Sequence, residues 1–181
     1  MIRLLLISLL LCLSACAPTT LSEGTTVGAY QYRIGTGDRL RVQTYGEQRL
    51  SGEFAVGSDG ALSFPLVGDF PAAGKTLAEF KDEFTARLGS EFLKNPQVSI
   101  EIINFRAVYI LGEVAKPGEF SFNSQMSVFA LVAKAGGFTY RANQKYAYIR
   151  HENDNEEQAV RLTSATAVQP GDTIRIPERS F

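Results

Sequence analysis

The sequence predicts an α+β protein built from two small domains in tandem. Two observations support this prediction. Each of two amphipathic helix patterns lies among short runs of alternating polar and apolar residues, which are typical of strands. In addition, a Gly-Asp turn followed by an alternating strand occurs near both ends of the 181-residue chain, as GDRLRV at residues 37–42 and GDTIRI at residues 171–176. We expect one such turn in each domain.

Local patterns give the elements of the first domain. Strands are predicted at residues 40–44, 53–56, 62–67 and 98–102. In the third of these, Pro65 indicates an edge strand or a bulge, because proline lacks a backbone donor. The helix begins after Thr76, whose spacing from Glu79 fits a capping box. Its apolar face consists of Leu77, Phe80, Phe84 and Leu88.

The second domain has the same kinds of pattern. Ser127 is placed to cap a short helix over residues 128–135, and Gly136 and Gly137 end this helix through a left-handed residue. Residues 146–150 and 158–162 are expected to pair as a hairpin joined by residues 151–157. Further strands are predicted at residues 108–111, 120–122 and 173–176.

The first fifteen residues have the features of a secretory signal peptide. Arg3 precedes an apolar run at residues 4–13, which is interrupted by Ser8. As a helix this run is about 15 Å long, too short for a bilayer core of about 30 Å. We therefore divide the chain into a signal peptide at residues 1–15, a flexible tether at 16–30, a first domain at 31–104 and a second at 105–181.

Composition argues against several classes of function. Eighteen Lys and Arg residues against 19 Asp and Glu leave no positive excess for binding nucleic acid. One His and two Cys are too few for a metal site built on those residues, and no G-x-S-x-G segment is present. We expect no catalytic residue, no cofactor and no metal ligand.

Two segments contain part of a functional motif. Residues 68–76, GDFPAAGKT, have five residues between their glycines, one more than a phosphate-binding loop, so we interpret them as a turn and a helix cap. His151 is followed by an acidic segment without the glycine that a calcium loop of the EF-hand type requires. We interpret this segment as a solvated hairpin tip in which no neighbour in the sequence orients His151 as a base. Its acidic residues are Glu152, Asp154, Glu156 and Glu157.

The segment Leu13-Ser14-Ala15-Cys16 resembles the lipobox of bacterial lipoproteins. The resemblance implies cleavage between Ala15 and Cys16, and a mature Cys16 that carries a diacylglyceryl thioether and an N-acyl chain. The modified cysteine would carry three acyl chains. Because two chains are enough for stable anchoring, such a protein stays on the membrane. Ala17 follows the cysteine where an Asp would redirect sorting, so the resemblance implies the outer membrane of a Gram-negative bacterium, facing the periplasm.

The two domains together resemble the outer-membrane polysaccharide export family. The first is similar to its export sequence domain at residues 32–40, 56–60, 62–68, 74–77 and 95–98. The second is similar to its soluble-ligand-binding β-grasp (SLBB) domain at residues 108–112, 117–118, 131–137 and 170–177. The resemblance implies a homo-oligomeric periplasmic ring that conducts a capsular or exopolysaccharide chain without catalysis. It also implies an inner-membrane polysaccharide co-polymerase as partner, and it assigns no residue to contact with the polysaccharide.

Better-known members of that family continue into a C-terminal amphipathic helix that assembles the outer-membrane pore, a segment not seen in these 181 residues. The resemblance therefore leads us to expect a separate outer-membrane β-barrel as the pore-forming partner. Two other functions stay open. One is a monomeric periplasmic saccharide- or ligand-binding adaptor lipoprotein, and the other is a polysaccharide-modifying enzyme that uses a pair of carboxylates.

Overall fold

The computed structural model describes residues 22–23 and 31–179. Within these residues β1 (Ser22–Glu23) comes first along the chain. The first domain follows, with β2 (Arg39–Thr44), a 3-10 turn (Gln48–Leu50), β3 (Gly52–Ala55), β4 (Ala61–Phe64), β5 (Gly68–Pro71), α1 (Leu77–Glu91) and β6 (Val98–Asn104). The second domain contains β7 (Val108–Gly112), β8 (Gly118–Phe120), α2 (Val128–Lys134), β9 (Tyr146–Arg150), β10 (Gln158–Arg161) and β11 (Thr173–Ile176).

The first domain packs α1 against an antiparallel sheet in the order β3-β2-β6. The predicted helix is confirmed, because Phe80, Phe84 and Leu88 are fully buried and the capping box between Thr76 and Glu79 is formed. The rings of Phe80 and Phe84 stack with their centroids 5.9 Å apart. This apolar face gives the domain a core of its own, since helices in proteins are stabilised mainly by packing.

The strand predicted at residues 62–67 is confirmed at residues 62–64 and wrong at residues 65–67. β4 ends at Phe64, and the chain turns back through Leu66, which has a φ of 70°. β5 then pairs antiparallel with β4 as a two-stranded hairpin. The helix α1 stabilises this hairpin, because Phe70 packs on the rings of Phe80 and Phe84 with centroid distances of 5.6 and 5.3 Å. That tertiary contact leaves no periodic pattern in the segment itself.

The second domain has a six-stranded sheet in the order β1-β10-β9-β11-β7-β8, in which β11 runs parallel to β7. The helix α2 contributes Leu131 and Val132 to the same buried cluster as Ile110 and Ile174 of the central strands. A hairpin, a helix and a last strand inserted parallel to the first form the β-grasp arrangement. The predicted α+β fold of two domains is therefore confirmed.

Most predicted elements of the second domain are also confirmed. The side chain of Ser127 accepts a hydrogen bond from Ala130 N at the start of α2, and Gly136 follows the helix with a φ of 83°. The strand predicted to reach Phe122 is wrong at that residue, since β8 ends at Phe120. Phe122 instead packs edge-on against Phe105, with ring centroids 5.3 Å apart.

Ser22 and Glu23 of the predicted tether form β1, which pairs in parallel with β10. This differs from the expectation that ordered structure starts near residue 30. The edge of a sheet offers unpaired backbone donors and acceptors to any extended segment, and such pairing does not require an apolar pattern in the segment. In the part of the chain that the structure describes, no helix is both long enough and apolar enough to span a membrane.

Candidate functional site at the domain junction

Each domain begins a strand with the same carboxylate-closed turn. Asp38 directly precedes β2 and Asp172 directly precedes β11, and both residues are fully buried. In each turn the Asp Oδ2 accepts a hydrogen bond from the backbone N–H three residues earlier, from Gly35 at 2.7 Å and from Gln169 at 2.8 Å. The repeated turn-to-strand connection that the sequence predicts is therefore confirmed in both domains.

Arg106 lies in the short connection between β6 and β7 and bridges the two domains. Its backbone N–H donates to Asp38 Oδ1 at 2.9 Å, and its Nη1 donates to Asp38 Oδ2 at 3.1 Å. Its Nε lies 2.7 Å from Glu152 Oε2 of the second domain. This second contact is an attraction between charges, because the Nε–H forms no hydrogen bond within the described residues. The Arg106 side chain is only 13% exposed, so solvent screens these attractions weakly.

Tyr32 completes the surroundings of the buried Asp38 carboxylate. Its hydroxyl donates to Asp38 Oδ2, and its ring lies 5.9 Å from the Arg106 guanidinium carbon. Asp38 thus accepts from two backbone N–H groups, a guanidinium and a phenol. A buried carboxylate requires such partners, because transfer of an unpaired charge out of water costs far more than a hydrogen bond returns.

Glycine is required in both turns by the close approach of Arg106. A Cβ atom added to Gly35 would lie under 3.0 Å from Arg106 Nη1, and one added to Gly171 would lie 2.9 Å from Arg106 Nε. Gly171 also adopts a φ of 85°, which residues with a side chain rarely occupy. Its N–H donates to Ala107 O at 3.0 Å. The guanidinium is therefore held between two backbone turns, one from each domain.

A cleft of about 280 Å³ opens beside Arg106 at this junction. Arg33 lies on the first-domain side, where Glu79 pairs with it at 3.4 Å. Since the two arginines of the cleft already have carboxylate partners, the cleft has little excess charge and suits a hydroxyl-rich ligand better than a free anion. Polar side chains that line it include those of Thr36, His151, Glu152, Asn153 and Gln169.

His151 is oriented by a carboxylate that is distant in the sequence. Its Nδ1 lies 2.7 Å from Asp172 Oδ1. This hydrogen bond raises the pKa of His151, while partial burial opposes the rise. The expectation that no neighbour in the sequence orients His151 stands, since Asp172 lies 21 positions away, and the fold supplies the partner that the sequence neighbours lack. Glu152 and Glu157 are exposed, which agrees with the solvated-tip interpretation, and each also contacts an arginine: Glu152 pairs with Arg106, and Arg175 Nε contacts Glu157 at 3.0 Å.

The chemistry of the cleft favours binding and positioning. His151 can exchange a proton near neutral pH, and the hydroxyl of Thr36 and the amides of Asn153 and Gln169 offer hydrogen bonds to a ligand. Within residues 31–179 no cluster of three or more His, Cys, Asp or Glu side chains is placed to hold a metal ion. The groups that are present fix one domain against the other and offer hydrogen bonds to a small polar ligand.

The structure places the other predicted site residues as follows. Ala15 and Cys16 lie outside the described residues, so cleavage and lipidation stay predictions. Residues 68–76 form β5, a turn and the cap at Thr76, which confirms the capping interpretation. The sequence did not identify Arg106 as a site residue. The Gly-Asp repeat predicted the two turns, but no local pattern indicates that a residue 68 positions from Asp38 joins them.

Comparison with known families assigns a family to each side of the junction. Residues 27–103 match the family described as polysaccharide biosynthesis/export protein, and residues 107–158 match the SLBB domain. The chain belongs to this polysaccharide export family. As a member, it has the export domain and the SLBB domain in the order that the resemblance predicted, and Arg106 lies between the two matched segments.

Three relatives illustrate the membership. The exopolysaccharide production protein ExoF of Rhizobium meliloti is 31% identical over 92% of this chain and 45% of its own length. The EPS I polysaccharide export outer membrane protein EpsA of Ralstonia nicotianae is 32% identical over 60% of this chain and 35% of its own. The polysialic acid transport protein KpsD of Escherichia coli is 26% identical over 66% of this chain and 22% of its own length. The chain spans less than half the length of these curated relatives.

Proposed function

We propose that this chain is a lipid-anchored, non-catalytic component of an outer-membrane complex that exports capsular or exopolysaccharide chains. The observation that carries the proposal is the match to the export family over residues 27–103 followed by the SLBB match over residues 107–158. The names of the relatives support it, since they describe exopolysaccharide production, export at the outer membrane and polysialic acid transport. The domain boundaries at 31–104 and 105–181 belong to the same proposal.

The geometry of the junction is consistent with a conduit component. A long hydrophilic polymer needs polar walls of fixed shape, and the Arg106 bridge holds the two domains in one arrangement. We further propose that several copies form a homo-oligomeric ring, with an inner-membrane polysaccharide co-polymerase as partner and the polysaccharide chain as cargo. Tight binding at the walls would slow transit, so no single strong sugar site is needed.

Deletion of the gene in its host tests the export function. We expect surface polysaccharide to be lost while cytoplasmic precursor sugars persist, and the intact gene supplied in trans to restore it. Electron microscopy of the detergent-extracted complex from the restored strain then gives the stoichiometry and reveals any partner. Unchanged surface polysaccharide in the deletion strain would refute the export function.

The anchor is tested by a pair of cysteine variants in the leader segment. Cys16→Ser removes the thiol that the proposed lipid needs, whereas Cys12→Ser changes a cysteine four positions earlier. Cys16→Ser should accumulate as an uncleaved precursor without a lipid-sized mass increase. Cys12→Ser should yield the mature lipidated form in the outer-membrane fraction. Mass spectrometry of both variants decides the question, and a lipidated Cys16→Ser protein would contradict the assignment.

The cleft beside Arg106 favours one second candidate, a monomeric adaptor that binds a saccharide or another small ligand. Its polar lining and its volume of about 280 Å³ suit a ligand of one or two sugar rings. Light scattering on the protein without its lipid separates the candidates. A monomer at all concentrations that binds a small ligand saturably supports the adaptor, and a defined oligomer supports the ring.

A further inference from the structure

Several loops of the second domain meet at the end that lies opposite the junction. β7 and β11 run parallel and both begin beside the junction, so the loops that follow them lie together at the other end, which we call the distal end. The loop before β9 also lies there, because β9 runs antiparallel to β11. Two of these loops are joined by backbone hydrogen bonds of 2.8 Å, from Asn143 N to Pro177 O and from Arg179 N to Arg141 O. They therefore form one surface.

A cleft of about 420 Å³ lies on this surface. Its charged lining consists of Lys145 and Arg179, and no carboxylate lines it among the described residues. The side-chain oxygen of Asn143 accepts from Lys145 N at 2.9 Å, so the amide NH₂ of Asn143 is left to donate to a ligand. Tyr140 also lines the cleft and is 83% exposed. Cations and hydrogen-bond donors are the groups that bind an anion.

The distal end has a positive excess when its carboxylates are counted. Its cationic residues, including one on the adjoining end of β10, are Lys116, Arg141, Lys145, Arg161 and Arg179. Its acidic residues, including one on β1, are Glu23, Glu113 and Glu178. The next charged residues toward the junction, Lys134 and Glu119, have opposite signs. Five cations against three carboxylates leave an excess of two.

The carboxylates of the distal end are placed beside arginines and leave Lys145 unpaired. Glu178 pairs with Arg141. The sheet register places Glu23 beside Arg161. Lys145 forms no ion pair within the part of the chain that the structure describes. Its ammonium group is therefore available to an external anion in the cleft.

The proposed lipid anchor is attached close to the same surface. Glu23 of β1 stands beside Arg161 of β10, which in turn stands opposite Tyr146, the first residue after the cleft. Since neighbouring strands lie about 4.8 Å apart, Glu23 and Tyr146 are separated by about 10 Å. Six residues lead from Cys16 to the start of β1, and an extended chain of that length spans at most about 22 Å. The membrane that holds the lipid is therefore within reach of the cleft.

We propose that the distal end of the second domain binds the phosphate groups of anionic lipids in the membrane that holds the anchor. Ammonium and guanidinium groups donate charge-assisted hydrogen bonds to phosphate oxygens, and each Lys or Arg near an anionic lipid surface strengthens the association about fivefold. An exposed tyrosine such as Tyr140 suits the same boundary, since its ring is apolar and its hydroxyl is polar. This inference rests on the lipid anchor proposed above and adds the surface that faces the membrane.

An acidic segment of a second copy fits the cleft less well than lipid does. The acidic segment of this domain is residues 151–157, which contain four carboxylates. Glu152 already pairs with Arg106, and Glu157 already pairs with Arg175. Transfer of these carboxylates to the cleft of another copy would break both ion pairs, whereas binding of a lipid phosphate breaks neither.

Fluorescence quenching on the lipidated protein in vesicles tests the inference. Cys12 and Cys16 are the two cysteines of the chain, and the proposed processing removes the first and acylates the second, so one introduced cysteine is the free thiol that takes the fluorophore. Ala115→Cys labels the distal end outside the cleft, and Asn155→Cys labels the exposed loop at the opposite end of the domain. The five residues of β9 separate these ends by about 17 Å.

The position of the label decides the expected result. In vesicles of phosphatidylglycerol and phosphatidylcholine, lipids with nitroxide-labelled head groups should quench the fluorophore at Ala115→Cys more strongly than the one at Asn155→Cys. Circular dichroism checks that both labelled proteins fold. Equal quenching of the two labels, or stronger quenching at Asn155→Cys, would overturn the inference.

Matched charge variants locate the contact on the mature chain with Cys16→Ser, which carries no lipid. Sedimentation with the same vesicles measures binding, which should weaken as salt is added and be absent with phosphatidylcholine alone. Lys145→Gln/Arg179→Gln should weaken binding by about 30-fold, since it removes two cations from the cleft. The control Lys94→Gln/Arg49→Gln removes two exposed cations of the first domain and should leave binding unchanged. Equal losses in the two double variants would place the contact elsewhere.

Mass spectrometry of the mature protein distinguishes failure of the anchor from failure of this inference. If Cys16 carries no lipid, the anchor fails and the inference fails with it. If Cys16 carries lipid and the two labels are quenched equally, the anchor stands and the distal end is wrongly assigned. If the protein binds inorganic phosphate but not the vesicles, the cleft is a site for a free anion and the inference is overturned. If Lys145→Gln/Arg179→Gln changes the oligomeric size of the protein without vesicles, the distal end is a contact between copies, which also overturns it.

Discussion

Replacement of Asp38 by Asn is the sharpest test of the domain junction. The amide keeps the shape of the carboxylate but loses its charge, and its NH₂ must face at least one donor whichever way it is turned. Gly35 N and Arg106 Nη1 donate on the Oδ2 side, and Arg106 N donates on the Oδ1 side. Breaking a buried ion pair from one side costs about 3–5 kcal/mol. We expect Asp38→Asn to lose about 3 kcal/mol of unfolding free energy, because one amide oxygen still accepts.

Urea unfolding followed by circular dichroism measures this loss. With a slope of about 1–3 kcal/mol per molar in urea, the midpoint should fall by about 1–3 M. The matched control is Glu101→Gln, which also removes a carboxylate from an arginine pair. Glu101 accepts from Arg41 at 2.7 Å, but its side chain is 59% exposed, so its loss should cost less than about 1 kcal/mol. If the two variants unfold at the same midpoint, the buried pair does not stabilise the junction.

Three further predictions concern packing and pH. Gly35→Ala should cost about 1–3 kcal/mol in urea unfolding, because its Cβ would lie under 3.0 Å from a guanidinium nitrogen, whereas Gly89→Ala, in α1 with its nearest contact at 3.6 Å, should be neutral or stabilising. Phe84→Ala should cost about 3–5 kcal/mol by the same measurement, since the ring is fully buried. The bond to Asp172 raises the pKa of His151 above 6.5, so its stabilising effect should be complete below pH 6.5 and lost as the pH rises through the raised pKa. Urea midpoints measured from pH 5.5 to 9 should show this fall, and His151→Gln should remove it.

Helices were predictable because their signals are local. Thr76 and Glu79 cap α1 within a single turn, and Ser127 does the same for α2. The β4–β5 hairpin was not predictable in this way. Phe70 is placed by the rings of α1, and its own neighbours, Asp69 and Pro71, give no alternating pattern. Elements that are fixed by tertiary contacts therefore cannot be predicted from the periodicity of the sequence.

The domain junction also depends on contacts between residues that are distant in the sequence, which a local pattern cannot predict. The Gly-Asp repeat predicted two similar turns, which the structure confirms, since a left-handed glycine and a carboxylate that bonds its own turn are encoded within four residues. Arg106 and Glu152 complete the site only because the connection after β6 brings Arg106 between both turns. A lone arginine in a loop has no sequence signal of its own.

The chemistry of the junction bears on the proposed ring. The buried apolar clusters of the two domains share no residue, and a row of edge-on rings, Tyr32, Phe105 and Phe122, crosses the junction beside Arg106. Directed hydrogen bonds hold the connection to both domains, since Arg106 donates to Asp38 of the first domain and Gly171 N–H of the second donates to Ala107 O. Such bonds restrict the angle between the domains, because hydrogen bonds weaken steeply when they are misaligned. In a closed ring every copy must repeat the same rotation, and a small error in each copy prevents closure. We therefore expect that loosening the polar bridge between the domains disturbs the proposed assembly before it unfolds either domain.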